Sequence, residues 1–140
     1  MEEVTLIAGE LFTDHRGTVA SLNRFLFDEV RRCYFLRHPD CTVKRGWNGH
    51  RYERKWFYPL RGEFEIELVR IDDWEHPSAD LPVQCHRLSD TRSEILCVPG
   101  GFASCIRATQ PDSILMVGSD KTLDESVSDS WKFPIGMWNR

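Results

Sequence analysis

Between Glu63 and Ile71 the chain alternates, with Phe64, Ile66 and Leu68 set between Glu63, Glu65 and Glu67. A period of two puts each set on its own face of a strand and predicts a half-buried sheet. Shorter runs of the same kind recur at Val4–Ala8, Thr18–Leu22, Cys33–Leu36, Lys55–Leu60, Val83–Leu88, Glu94–Val98, Phe102–Arg107 and Ser113–Val117. Turn-forming clusters separate them: Asp14-His15-Arg16-Gly17, His38-Pro39-Asp40, Arg61-Gly62, Pro99-Gly100-Gly101 and Gln110-Pro111-Asp112. No long segment sustains a helical period. Phe25–Arg32 predicts a short turn, and Leu123–Ser130 a short helix near the end. Many short strands about ten residues apart predict an all-β sandwich or barrel. No repeat or linker divides the 140 residues, so one domain with a core of its own is expected.

Composition narrows the class. With 41% apolar and 29% charged residues the chain is not disordered, and no apolar run approaches the roughly 18 residues of a membrane helix. Met1-Glu2-Glu3 is acidic and lacks the basic-then-apolar layout of a secretion signal, so a cytoplasmic protein is expected. The net charge of −4 argues against a protein that coats nucleic acid. Five cysteines (Cys33, Cys41, Cys85, Cys97, Cys105) are scattered without a Cys-x-x-Cys pair, which fits neither a disulfide scaffold nor a clustered zinc site. Cys97 and Cys105 lie in apolar stretches, where thiols act as small core residues.

The net charge hides an asymmetry. Lys44, Arg45, Arg51, Arg54, Lys55 and Arg61 share one segment with a single acid, Glu53, whereas Asp120, Asp124, Glu125 and Asp129 share another with Lys121 alone. Both segments read as solvated faces. The basic one also holds Trp47, His50, Tyr52, Trp56 and Tyr58, and bases among aromatics suit an anionic, ring-bearing ligand such as a nucleotide.

Several pieces follow one another in a recognisable order. Asp14-x-Arg16-Gly17 precedes Arg32-Cys33-Tyr34-Phe35-Leu36, and Lys44-Arg45-Gly46-Trp47-Asn48-Gly49-His50 precedes Leu60-Arg61-Gly62-Glu63. Val98-Pro99-Gly100-Gly101-Phe102-Ala103 and Val117-Gly118-Ser119-Asp120 complete the set. From about Phe12 to Asp120 the chain resembles the small cupins of deoxysugar biosynthesis. It looks most like the TDP-4-keto-6-deoxyhexose 3,4-ketoisomerases, and more distantly like the TDP-4-dehydrorhamnose 3,5-epimerases. The resemblance implies a double-stranded β-helix, or jelly roll, in a cytoplasmic homodimer that binds a TDP-linked keto sugar in its barrel. In that family the N-terminal strand often crosses to the partner, a role Val4–Ala8 suits; an ordinary sheet edge is the other reading.

The family chemistry needs a general base beside a carbon acid and a donor for the developing oxyanion. Ketoisomerases carry His-x-His where this chain has Asn48-Gly49-His50, and often a second-motif histidine where it has Ser104. An amide cannot take a proton, so the resemblance leaves His50 as the acid/base and Tyr34 as the assisting acid. Asn48 and His50, two apart on a strand, point the same way. By resemblance Arg45 and Lys55 suit phosphate or sugar contacts, with Arg51 a further substrate-binding candidate and Asn48 and Ser104 lining the cavity. Trp47 and Trp56 either stack on a base or pack in the core. With one imidazole left and Glu53 only three residues on, no metal site is expected, and no organic cofactor. The leading expectation is 3,4-ketoisomerisation; the alternative is a non-catalytic cupin that keeps a sugar-nucleotide pocket.

Overall fold

The computed structural model describes residues 2–138. Among these, twelve strands and one short helix form two five-stranded antiparallel sheets and a separate hairpin. One sheet runs β1 (Thr5–Ala8), β9 (Glu94–Val98), β6 (Lys55–Arg61), β11 (Ile114–Ser119), β4 (Arg32–Leu36). The other runs β12 (Trp131–Lys132), β5 (Lys44–His50), β10 (Phe102–Ala108), β7 (Glu63–Arg70), β8 (Gln84–Ser89). From β4 onward successive strands alternate between the sheets, apart from the β7–β8 pair, which gives the jelly roll. The hairpin joins β2 (Glu10–Asp14) to β3 (Gly17–Ser21), and helix α1 (Leu123–Ser128) lies between β11 and β12. Strand β1 pairs with β9 of its own chain, as an ordinary sheet edge.

Side chains pointing inward from both sheets make the central core. Phe64, Ile66 and Leu68 of β7 meet Phe57, Leu96, Leu115 and Val117 of the opposite sheet, all at 1% exposure or less. Burying a side chain of this size contributes about 1.5–3 kcal/mol, which fixes the register of the alternating strands. The outer faces carry apolar layers of their own. On one, Trp47, Val69, Cys105 and Trp138 pack with Trp74 and Phe133; on the other, Phe25, Trp56, Ile95 and Cys97 pack with Ile7 and Val30.

Two expectations from the sequence change. The glutamate face of β7 is not open to water, since Glu65 and Glu67 are buried. A buried carboxylate is costly unless paired. Arg87 lies 2.9 Å and Arg107 3.5 Å from Glu65, both of them its cross-strand neighbours, while Lys44 lies 3.6 Å from Glu67. The acidic stretch from Asp120 to Asp129 is likewise more than a solvated face. Asp120 accepts the Arg54 backbone N–H at 2.8 Å, and Asp129 accepts those of Arg51, Tyr52 and Glu53 at 2.8, 2.8 and 2.9 Å. Helix α1 brings Asp129 there. It starts in a capping box between Thr122 and Glu125, turns only Ser126 inward, and ends at Asp129.

Candidate functional site

A cavity of about 200 Å³ opens beside the core and shares Tyr34, Leu36 and Ile106 with it. Its other lining residues are Arg45, Asn48, His50, Lys55, Ser104, Ser130 and Lys132. Strand β5 supplies Arg45, Asn48 and His50. Asn48 and His50 share a face by alternation, but Arg45, three residues before Asn48, belongs on the other face of a regular strand. A bulge corrects this: Ser104 pairs with Asn48 and Ile106 with Arg45, so β5 holds one extra residue against β10. Gly46 lies inside the bulge, where a Cβ would come within 2.7 Å of Cys105 Cα and Ser104 O. Tyr34 comes from β4 and Lys55 from β6 of the opposite sheet.

His50 is 9% exposed and has a defined tautomer. Its Nδ1 lies 2.8 Å from the Asp129 carbonyl oxygen and 3.2 Å from Glu53 Oε1. Both neighbours only accept, so Nδ1 carries the proton and donates, leaving Nε2 as the acceptor. Glu53, 2% exposed, accepts from Ser126 Oγ at 2.6 Å and Ser119 Oγ at 2.7 Å, with Arg32 Nη2 3.5 Å away. Burial acts to raise the Glu53 pKa. The two hydroxyl donors, with Lys55 and His50, outweigh it and hold the carboxyl below its ordinary value. Burial, followed by the Lys55 charge, pushes His50 below its ordinary value despite Glu53, so the imidazole is neutral at pH 7.

Both shifts favour the deprotonated form in the folded state, so both make acid destabilising. The Glu53 contribution is present above its unfolded value of 4.5 and is lost as pH falls through the depressed folded value. The His50 penalty grows as pH falls below 6.5. Glu53→Gln removes the first effect. Urea unfolding of wild type and variant from pH 3 to 7 should therefore show a shallower acid limb for the variant below about pH 4.5. Parallel curves would contradict the assignment.

The remaining polar groups are mostly donors. Lys55 Nζ donates to Tyr34 Oη at 3.3 Å, which leaves the phenol proton free to donate onward, and Arg32 lies 4.9 Å over the Tyr34 ring. Lys132 Nζ donates to Asn48 Oδ1 at 3.0 Å. Of the residues nominated from sequence, Tyr34, Arg45, Asn48, His50, Lys55 and Ser104 meet in this cavity. Arg51 does not line it: its guanidinium lies 5.8 Å from the Tyr52 ring, and its backbone N–H is held by Asp129. Trp47 and Trp56 do not line it either, being buried in the outer layers against Trp138 and Phe25. Lys132 escaped the sequence reading because a two-residue strand carries no periodicity, and Ser130, expected at the end of a helix from Leu123, lies beyond α1, which stops at Ser128. Among the described residues, no three His, Cys, Asp or Glu side chains gather as metal ligands, and no helix is long and apolar enough to cross a membrane.

Two facing antiparallel sheets with a polar cavity between them make a jelly roll of the double-stranded β-helix type, a cupin-like fold. Solved structures of the same fold are sugar-nucleotide isomerases and epimerases, as the sequence resemblance anticipated. A sugar 3,4-ketoisomerase from Thermoanaerobacterium thermosaccharolyticum, crystallised with TDP, matches 91% of this chain and 85% of its own at 20% identity and a TM-score of 0.71. The TDP-quinovose 3,4-ketoisomerase of Campylobacter jejuni matches 95% of each chain at 15% identity, TM-score 0.73. The dTDP-4-dehydrorhamnose 3,5-epimerase of Bacillus anthracis, with TDP and pyrophosphate bound, matches 96% of this chain and 80% of its own at 16% identity, TM-score 0.77. No protein-family profile and no curated protein matches the chain in sequence.

Proposed function

We propose that this cupin acts on a TDP-linked 4-keto-6-deoxyhexose in deoxysugar or polysaccharide biosynthesis, as a single-domain cytoplasmic homodimer, and that its reaction is 3,4-ketoisomerisation. One observation carries the reading. An imidazole with its acceptor nitrogen defined and a phenol free to donate meet in a cation-lined cavity the size of a sugar ring. The fold's relatives, crystallised with TDP or TDP-sugars, support the ligand class. In this reaction His50 Nε2 removes the C3 proton and returns it at C4. Tyr34 donates to the C4 oxygen as the enediol forms, and its phenolate, favoured by Lys55 beside it, takes the proton of the C3 hydroxyl as C4 is reprotonated and C3 becomes the ketone. Asn48 and Ser104 bind sugar oxygens, and Arg45, exposed on β5, reaches toward the diphosphate.

The non-catalytic reading keeps a specific observation in its favour: Asn48 and Ser104 leave one imidazole in the cavity. Proton exchange separates the two. The protein is incubated with TDP-4-keto-6-deoxyglucose in deuterated water and the sugar is followed by NMR. Deuterium or product at C3 and C4 is the expected result. Exchange at C3 and C5 would make the reaction an epimerisation, and binding without exchange would leave only the binding protein.

A further inference from the structure

Strand β12 is two residues long, and its side chains part to the two faces of the sheet. Trp131 packs 5.5 Å from Trp74 on the outer face, and the next backbone N–H, that of Phe133, donates to Trp47 O. This packing holds the backbone of Lys132, whose exposed side chain lines the cavity. There it pairs across the sheet with Asn48, which pairs in turn with Ser104, so the three form one row over β12, β5 and β10. Among the described residues no carboxylate makes an ion pair with Lys132, Lys55 or Arg45. The cavity therefore carries positive charge with no direct carboxylate partner, Glu53 acting on Lys55 only through space.

The bond between Lys132 and Asn48 also fixes which way the amide faces. An ammonium only donates, so Asn48 Oδ1 is taken up by Lys132 at 3.0 Å and its NH₂ is left for the cavity. This reverses the chemistry that a histidine base would have at that position, because Asn48 presents a donor. His50 Nε2, two residues and about 7 Å along the same face, is left as the proton acceptor beside a row of donors. We infer that Lys132 and Asn48 form an oxyanion site for the sugar: a cation and a neutral N–H donor that stabilise the negative charge developing on the C4 oxygen as His50 takes the C3 proton, before Tyr34 completes its transfer to that oxygen. The inference rests on the sugar-nucleotide reading above and adds to it a group delivered by the last strand of the barrel. An anionic oxygen also occurs in the diphosphate, so the test must tell the two sources apart.

Lys132→Met and Lys132→Arg are compared with wild type for TDP affinity by calorimetry, affinity for TDP-4-keto-6-deoxyglucose, and deuterium exchange at saturating sugar nucleotide. Lys132→Met is expected to slow exchange about 100-fold, the scale of losing one oxyanion donor. Its TDP affinity should stay within about threefold, and Lys132→Arg should recover exchange to within about tenfold of wild type. Exchange at the wild-type rate in Lys132→Met overturns the inference while leaving the proposed reaction standing. Equal loss of TDP and sugar-nucleotide affinity also overturns it, since Lys132 then belongs to the diphosphate. If wild type binds the sugar nucleotide without exchange, the proposed reaction falls and the oxyanion site falls with it, since no sugar oxygen then becomes negative. Wild type that binds neither ligand overturns both.

Discussion

Replacing Asp129 by alanine is expected to lower the free energy of unfolding by about 3–4 kcal/mol, a large share of the 5–15 kcal/mol typical of a domain. The carboxylate accepts three consecutive backbone N–H groups, from Arg51, Tyr52 and Glu53, at 2.8–2.9 Å, and the residue is 8% exposed. Hydrogen bonds to a charged group contribute about 1.5–3 kcal/mol each and do not add fully. Removing the acceptor also strands donors that face the protein interior, the Glu53 N–H above all. Asp129→Asn keeps one acceptor oxygen and loses the charge, so it should fall between the two. Urea denaturation of the three proteins side by side measures this, and a loss below about 1 kcal/mol for alanine would show that water replaces the carboxylate. The damage extends beyond the loop, because the Asp129 carbonyl also holds His50 Nδ1.

The second large effect is chemical. His50→Gln should reduce deuterium exchange at the sugar carbons by about 10³-fold, within the range that a positioned general base supplies. Glutamine retains polarity but offers no basic nitrogen at neutral pH. The variant should still melt cooperatively and bind TDP within about threefold of wild type. Exchange within tenfold of wild type would mean that another group takes the proton. Asn48 is not that group: amides do not act as bases, and its oxygen already serves Lys132.

The strands were legible because their signal is local. Glu63 to Ile71 alternates in sequence, and β7 follows from that alternation. The same argument misled on the glutamates of β7, since alternation says which face a residue takes and not what covers it. Arg87 and Arg107 arrive from neighbouring strands, and nothing near Glu65 announces them. In the cavity, Tyr34, Asn48, His50 and Lys55 could be placed together by motif order. Arg45 needed a bulge that shows only in the pairing of β5 with β10. Glu53 looked like a poorly spaced metal ligand; its setting depends on Ser119 and Ser126, 66 and 73 residues further along the chain. Lys132 left no trace in periodicity. Its position is decided by Trp131, whose ring finds Trp74 on the outer face.

The two aspartates that clamp the 51–54 loop also impose an order in time. Synthesis runs from the N-terminus, and strands β1 to β11, with the whole central core, have been made by Ser119. Asp120, Ser126, Asp129 and Lys132 all follow. A nascent chain stalled at that point owns the barrel's apolar interior but leaves the backbone amides of the loop without acceptors and Glu53 short of one hydroxyl. Synthesis of residues 120–132 is thus the event that completes the cavity, and a chain cut before them carries a barrel with its site unassembled.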